Sequence, residues 1–123
     1  MPTARILLLP LLMATACKSP PDEEHHMPQA SAARGAVVIA RAGCGACHVI
    51  PGVGWPQGAA GPSLLGFAEQ GLIAGRLPNR PDLLAAYVRN APATLPGTTM
   101  PAMPISEGEA RDVAAYLYAH SKR

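Results

Sequence analysis

The chain has 123 residues and a formal net charge of +2, which suits one small domain. No run of Lys and Arg is interleaved with aromatic residues, so nucleic-acid binding has no support. Phe, Trp and Tyr together make up only 4% of the chain. A small domain with so few large side chains usually needs a metal or a cross-link to complete its core. The composition therefore favours a bound cofactor.

Residues 1–16 are predicted to be a signal peptide of the lipoprotein type. An apolar run from Ile6 to Ala16 follows the positive charge of Arg5, and this run is too short to span a bilayer as a helix. It ends in small residues before Cys17, as in bacterial lipoproteins, whose cysteine is diacylated and becomes the mature N-terminus. The alternative is an ordinary secretory signal, and both interpretations export the chain.

Residues 17–30 are predicted to form a flexible tether, because this stretch is rich in Pro and in charged residues. His25 and His26 are expected to be solvated there. Lys18 stands where many lipoproteins of the inner membrane have Asp. We therefore expect the protein on the periplasmic side of a bacterial membrane, anchored by lipid, with the outer membrane favoured.

The domain is predicted to span residues 31–123 and to be all-α. Its first helix covers Ala32–Ala42, where Ser31 can cap the start and Gly43 ends the segment. A short helical turn is expected within Leu64–Glu69. The apolar face of the first helix is predicted to hold Ala36, Val37 and Ala40.

Two more helices are predicted, separated by loops rich in Gly and Pro. In the segment from Arg80 to Asn90, Pro81 suits the first helical position and Asp82 complements the positive end of the helix dipole. The last helix begins with a capping box formed by Ser106 and Glu109. No segment alternates as a strand does. Short helices joined by such long loops make sense if the loops wrap a cofactor.

Cys44, Cys47 and His48 form the pattern C-x-x-C-H, which is typical of c-type haem attachment. Each thiol adds across one haem vinyl group to form a thioether, and the histidine then lies under the iron. A redox dithiol needs a preceding strand and a following helix, whereas here a helix precedes and a loop follows. A zinc site needs two more ligands, which neither Cys17 in the signal region nor His120 near the terminus is placed to supply.

The second axial ligand of the iron is expected to be a methionine, which is a common choice and raises the reduction potential. Met100 and Met103 remain once the methionines of the signal peptide and the tether are set aside. Both lie in the loop before the last helix, where the chain could return to the opposite haem face. The ordinary role of a loop methionine is to fill a gap in the core. One of the two is predicted to bind the iron.

Four motifs follow one another from about Ala33 to Leu117, namely "GCGACH", "GPSLLG", "TTMP" and "SEGEARDVAAYLY". In this order they resemble the motifs of class I, monohaem cytochromes c. The resemblance implies a small all-α cytochrome c fold, in which three to four short helices wrap around one covalently bound haem c. It also implies that the first and last helices cross at right angles.

The resemblance assigns a role to each residue that holds the haem. It implies that Cys44 and Cys47 form the thioethers and that His48 and Met100 are the axial ligands of the iron. Met100 takes this role because it occupies the T-x-M-P position, and Met103 would be a bystander.

Further contacts are also implied by the resemblance. Pro62 would offer its carbonyl oxygen to the imidazole of His48, and Leu64 would pack on the haem. Trp55 is expected either to donate a hydrogen bond to a haem propionate or simply to pack. The terminal helices are expected to meet through Gly35 or Ala36 and Tyr116 or Leu117.

The expected function is one-electron transfer without enzyme activity. The partners would be redox proteins, namely an oxidase, a reductase or a dehydrogenase, that dock transiently near Cys44 and Cys47, and the lipid on Cys17 would hold the protein at the membrane. One alternative is a haem enzyme or gas sensor with an open distal position. Others are a non-haem metal-binding lipoprotein and an electron-transfer subunit of a dehydrogenase or oxidase complex.

Overall fold

The structure is a computed structural model that describes Met1 and residues 24–121. The predicted signal peptide, Cys17 and most of the predicted tether lie outside the described residues. Among the described residues, no helix is both long and apolar enough to cross a membrane. The helices and strands are α1 (Ala32–Ala42), β1 (Leu72–Ile73), β2 (Leu77–Pro78), α2 (Pro81–Arg89), α3 (Ala91–Thr94) and α4 (Glu107–Ala119), with 3-10 turns at Cys44–Ala46 and Phe67–Glu69.

Helix α1 has the predicted bounds and caps. The hydroxyl of Ser31 accepts a hydrogen bond from the backbone N–H of Arg34, and Gly43 ends the helix in the left-handed conformation, with φ of 71°. The predicted apolar face, however, is wrong. Ala36, Val37 and Ala40 are exposed, and Val37 is 66% exposed.

The buried face of α1 carries Gly35, Val38 and Ile39. These positions are three and four residues apart, so they share one side of the helix. They bury two bulky branched side chains beside a glycine that lets a neighbouring helix approach closely. The predicted face consists of two alanines and one valine, so its burial would remove less apolar area from water than burial of Val38 and Ile39 does.

Gly35 is the point where α1 meets α4. A Cβ atom added there would overlap the backbone carbonyl of Asp112 and would lie 2.9 Å from the Cβ of Tyr116. The two helices therefore touch through their backbones at this position. Of the expected contacts, Gly35 or Ala36 with Tyr116 or Leu117, the structure shows Gly35 with Tyr116, whereas Ala36 is exposed.

Two ion pairs also connect α1 with α4. The buried carboxylate of Asp112 accepts hydrogen bonds from the Arg34 side chain at 2.7 and 2.8 Å and from the backbone N–H of Ser31 at 2.7 Å. Hydrogen bonding from the Arg34 guanidinium lowers the pKa of Asp112. Arg41 forms the second pair with Glu109, with 2.6 Å between the nitrogen and the oxygen. Both arginines of α1 are thus paired with carboxylates of α4.

The remaining predicted helices are confirmed. Helix α2 begins with Pro81 and has Asp82 in its first turn. The capping box of α4 is complete, because Glu109 N–H donates to the Ser106 hydroxyl at 3.2 Å and Ser106 N–H donates to the Glu109 carboxylate at 2.8 Å.

Two short elements were not predicted. Helix α3 is a single turn, and its N-cap is Asn90, whose side-chain oxygen accepts from Ala93 N–H at 3.2 Å. Strands β1 and β2 form an antiparallel hairpin in which Leu72 pairs with Pro78. Elements of two to four residues are too short to show a periodic pattern in the sequence.

The described end of the predicted tether, residues 24–30, contacts the domain. Met27 is only 7% exposed and belongs to the hydrophobic core. The ring of His25 stacks on Tyr118 of α4, with 4.1 Å between the ring centroids. Two arginines of α1 and α4 also donate hydrogen bonds to backbone carbonyls of this segment. The sequence predicts a solvated linker here, whereas the apolar and aromatic side chains of this segment pack on α4 and the core.

Candidate functional site

The C-x-x-C-H motif forms a tight turn directly after α1. Gly43 redirects the chain, and Cys44–Ala46 follows as one 3-10 turn. The backbone carbonyl of Cys44 accepts hydrogen bonds from Cys47 N–H at 3.3 Å and from His48 N–H at 3.1 Å. The Cys44 side chain is half-buried against the core and the Cys47 side chain is exposed, and both are free cysteines. The turn therefore brings the two thiols and the imidazole together on one short segment.

The imidazole of His48 is held by the loop that follows the motif. Its Nδ1 lies 2.7 Å from the carbonyl oxygen of Pro62. The family resemblance implies a contact between these two groups. A carbonyl oxygen can only accept, so Nδ1 carries the proton and Nε2 keeps its lone pair. A neutral imidazole in this tautomer can ligate a metal through Nε2, and the bond to a carbonyl raises its basicity.

Gly61 lies directly against the ring of His48. A Cβ atom added at Gly61 would overlap Cε1 of the ring and would lie 2.7 Å from Nδ1, which is closer than a Cβ atom can approach. The backbone N–H of Gly61 also donates to the carbonyl of Cys47 at 2.8 Å. The prediction from sequence did not include Gly61. Its position directly before Pro62 was the available signal, because a residue beside an oriented imidazole has little room for a side chain.

A second contact not predicted from the sequence fixes the start of the same loop. The buried hydroxyl of Tyr116 in α4 donates to the carbonyl of Pro51 at 2.6 Å. Leu64 is half-buried against the core, and its backbone N–H donates to the carbonyl oxygen of Val49 at 2.8 Å. The loop is therefore attached to α4 at one end and to the chain beside His48 at the other. The proposed contact of Leu64 with the haem stays a prediction.

Trp55 lies on this loop and is 86% exposed. The expectation that it simply packs against the protein is therefore wrong. The alternative expectation, a hydrogen bond to a haem propionate, stays a prediction.

Met100 and Met103 differ in their surroundings, although both are half-buried against the core. The backbone N–H of Met103 donates to the carbonyl of Arg89 at the end of α2, at 3.0 Å. Met103 also lines a surface cavity of about 550 Å³, and none of the lining residues comes from the C-x-x-C-H segment. The Met103 side chain is therefore associated with α2 and α3.

Met100 belongs to a part of the loop that is held by a different contact. The hydroxyls of Thr98 and of the buried Tyr87 in α2 are 2.7 Å apart and share a hydrogen bond. This pair was also missed from the sequence. The available signal was a tyrosine on the apolar face of a helix, because a buried phenol needs a polar partner.

The donor set fits a haem that is attached through two thioethers. Two free thiols stand at the required spacing, and the imidazole behind them has an available Nε2. Burial raises the pKa of the Cys44 thiol, and a protonated thiol is a poor nucleophile for thiol–disulfide exchange. Within residues 24–121, no three His, Cys, Asp or Glu side chains group together as ligands for a bare metal ion. The geometry of the described residues therefore supports neither a redox dithiol nor a non-haem metal site.

Comparison with known proteins gives two matches. The family model of Cytochrome c matches residues 32–121. Cytochrome c oxidase subunit 2 of Alkalihalophilus pseudofirmus is 37% identical over 85 residues, which cover 68% of this chain and 24% of that protein. The chain thus spans about a quarter of the length of this relative. Because the family match includes every helix of the described residues and the C-x-x-C-H turn, the chain belongs to the cytochrome c family and carries a covalently bound haem c.

Proposed function

We propose that this protein is a one-electron carrier in which Cys44 and Cys47 hold the haem c and His48 and Met100 are the axial ligands of its iron. Membership of the cytochrome c family makes haem-based electron transfer its activity. The observation that carries the assignment of His48 is the 2.7 Å hydrogen bond between its Nδ1 and Pro62, because this bond leaves Nε2 available.

The haem, when bound, supplies an iron that alternates between the ferric and ferrous states. The residues of the chain prepare the site for this exchange. Pro62 fixes the orientation of the His48 ring and raises its basicity, and Gly61 leaves room for the ring. The two thioethers prevent loss of the cofactor. With a histidine and a methionine both bound, no open position remains for a substrate.

The structure offers two arguments for Met100 over Met103. The backbone of Met103 is attached to α2, and its side chain lines a cavity formed by α2, α3 and its own loop. Met100 follows Thr98, which is anchored to the buried Tyr87. The segment that carries Met100 is thereby fixed on both sides, and this suits a ligand whose sulfur must stay in place in both redox states.

Replacing each methionine in turn tests the assignment. We expect the ferric holoprotein to show the weak absorption band of methionine–iron ligation near the red end of the visible spectrum. The band should disappear in Met100→Ala and persist in Met103→Ala, which is the matched control from the same loop. The opposite pattern would assign the ligand to Met103. Rapid uptake of CO by the unaltered ferrous protein would indicate the open distal position of a haem enzyme or gas sensor.

An oxidase is the electron acceptor that we favour, either as a transient partner or as a complex of which this chain is a subunit. The argument is the similarity to a protein named cytochrome c oxidase subunit 2, which includes a segment like this one. Oxidation of the ferrous holoprotein by a purified terminal oxidase of the same organism tests this. A rate no higher than that of spontaneous oxidation by air would count against it.

Export and anchoring by lipid on Cys17 are also part of the proposal. They rest on the apolar run that ends in small residues before this cysteine. The intact mass of protein extracted from membranes should include a diacylglyceryl group and lack residues 1–16. Cys17→Ser should abolish this modification and release the protein from membranes.

A further inference from the structure

The most exposed aromatic side chain of the described residues lies beside the haem-attachment turn. Trp55 belongs to residues 54–60, which we call the Trp55 loop, and it is 86% exposed. Gly58 N–H of this loop donates to the carbonyl of Gly45 at 2.8 Å. A Cβ atom added at Gly45 would lie 2.6 Å from the carbonyl oxygen of Pro56. The Trp55 loop is thus packed against the turn between Cys44 and Cys47.

The exposed positions next to this loop are small or apolar. They are Ala46 and Cys47 on the turn, and within the loop itself Gly54, Pro56, Ala59 and Ala60 are exposed together with one polar but uncharged residue, Gln57. A tryptophan exposed to this degree buries a large apolar area when it meets a partner.

The sequence around this surface carries no formal charge. From residue 42 to residue 68 there is no Asp, Glu, Lys or Arg. The charge that precedes this stretch belongs to Arg41, and it is compensated by Glu109 at 2.6 Å. A partner that recognised this surface through charge would find no counter-charge on the segment itself. A partner with an uncharged apolar patch would lose no ion hydration on contact.

We propose that the Trp55 loop is the docking surface for a redox protein whose own docking patch is apolar and uncharged, with Trp55 as the central contact. This inference rests on the proposed function, because it names the kind of partner to which the haem passes its electron. Interfaces between redox proteins are small and transient. In such an interface one central tryptophan can carry much of the binding free energy.

Electron self-exchange between ferrous and ferric copies of the holoprotein is the most direct test. In that reaction the partner is a second copy of the protein. Each copy therefore presents the same uncharged, apolar Trp55 loop to the other. NMR exchange measurements give the second-order rate constant. Because no charge steers the encounter, we expect this constant to change less than about twofold when NaCl is raised from about 20 mM to about 500 mM.

Three variants make the test specific. Trp55→Ala should lower the self-exchange rate constant by about tenfold, which corresponds to the loss of one central interface contact. Trp55→Phe should retain most of the rate, because it keeps an aromatic apolar side chain. Leu72→Ala is the matched control, since Leu72 is an exposed apolar residue (47% exposed) on the hairpin, and its removal should leave the rate unchanged.

A second measurement does not depend on electron transfer. The indole N–H resonance of Trp55 should shift as the concentration of the ferrous holoprotein is raised, while resonances of the β1–β2 hairpin stay in place. Each variant should keep the haem content and the ferric methionine band of the unaltered protein, and Trp55→Ala and Trp55→Phe should share one reduction potential, because both lack the indole N–H. A changed rate can then be attributed to docking.

Several results would overturn the proposal. These are an unchanged rate in Trp55→Ala, an equal loss in Leu72→Ala, or a rate that varies tenfold or more with salt. Binding of the holoprotein to phosphatidylcholine vesicles that Trp55→Ala abolishes would assign the surface to a lipid membrane instead. Failure of the proposed function would appear separately, as a missing methionine band or the absence of any self-exchange in the unaltered protein.

Discussion

Two glycines within helices illustrate how differently single residues contribute to this protein. Gly35 of α1 lies against the backbone of α4 at Asp112, whereas an added Cβ at Gly108 of α4 would meet nothing within 4 Å. Both positions have helical backbone conformations. The difference between them is therefore one of packing and not of backbone strain.

Replacing each of these glycines with alanine should have opposite effects. Gly35→Ala should lower the free energy of unfolding by about 2 kcal/mol or more, because the methyl group would force α1 and α4 apart. Gly108→Ala should raise it by about 0.5 kcal/mol, since alanine restricts the unfolded chain and favours the helix. Denaturant unfolding of the holoprotein measures both. A harmless Gly35→Ala would mean that the two backbones are not in contact.

Apart from the two pairs that the family resemblance implies, His48 with Pro62 and Gly35 with Tyr116, the residues that the sequence predicts act locally, and those that it misses act at a distance. The caps of α1 and the capping box of Ser106 and Glu109 join residues three positions apart, so their spacing is visible in the chain. Gly61 touches a ring thirteen positions away, and Tyr116 reaches a carbonyl sixty-five positions away. No pattern in one sequence reveals such pairs before the fold is known.

Among the elements, the loop between α3 and α4 depends on α2 for its position. Near its start, Thr98 is hydrogen-bonded to Tyr87, and near its end Met103 N–H donates to the carbonyl of Arg89. Asn90 and Ala102 also form an antiparallel bridge. The proposed ligand, Met100, lies between these attachments.

Removing either hydroxyl of the first attachment should make Met100 easier to displace. Tyr87→Phe and Thr98→Val should each cost about 1 kcal/mol, so the affinity of the ferric holoprotein for added imidazole should rise about fivefold. The double variant should show little further change, because both substitutions remove one bond. Optical titration measures the affinity. Fully additive effects would show that the two side chains act independently.

The helices were predicted more reliably than their orientation. Pro81 and Asp82 identified the start of α2, because a proline at the first helical position and an acidic first turn are local signals. The buried face of α1 was assigned wrongly, because the helix has apolar residues on more than one side. Only its contact with α4 selects the face of Gly35, Val38 and Ile39.

Across the whole molecule, the core extends into the segment before the first helix. Met27 is 7% exposed and lies among the core residues, although the sequence around it is rich in proline and charge. The composition predicted a solvated tether, since it offers few apolar groups. One methionine and one stacked histidine are nevertheless enough to dock its end. The motifs revealed the family and the fold, but this contact depends on a surface that only the folded domain provides.

Met27→Ala in the full chain should therefore destabilise the domain. We expect the free energy of unfolding to fall by about 2 kcal/mol, which is at the low end for a buried methionine because the site is near the surface. Val37→Ala, at a position 66% exposed, is the control and should change stability by less than about 0.5 kcal/mol. Equal stability of the two variants would show that the segment does not dock in solution.

The stack of His25 on Tyr118 also brings the two ends of the domain side by side, since Tyr118 is one residue from the end of α4. When the first and last residues of a domain lie close together, the domain can be moved as a unit into another protein. It can be joined to another protein through either end, or inserted into a surface loop, without stretching the chain across its own body.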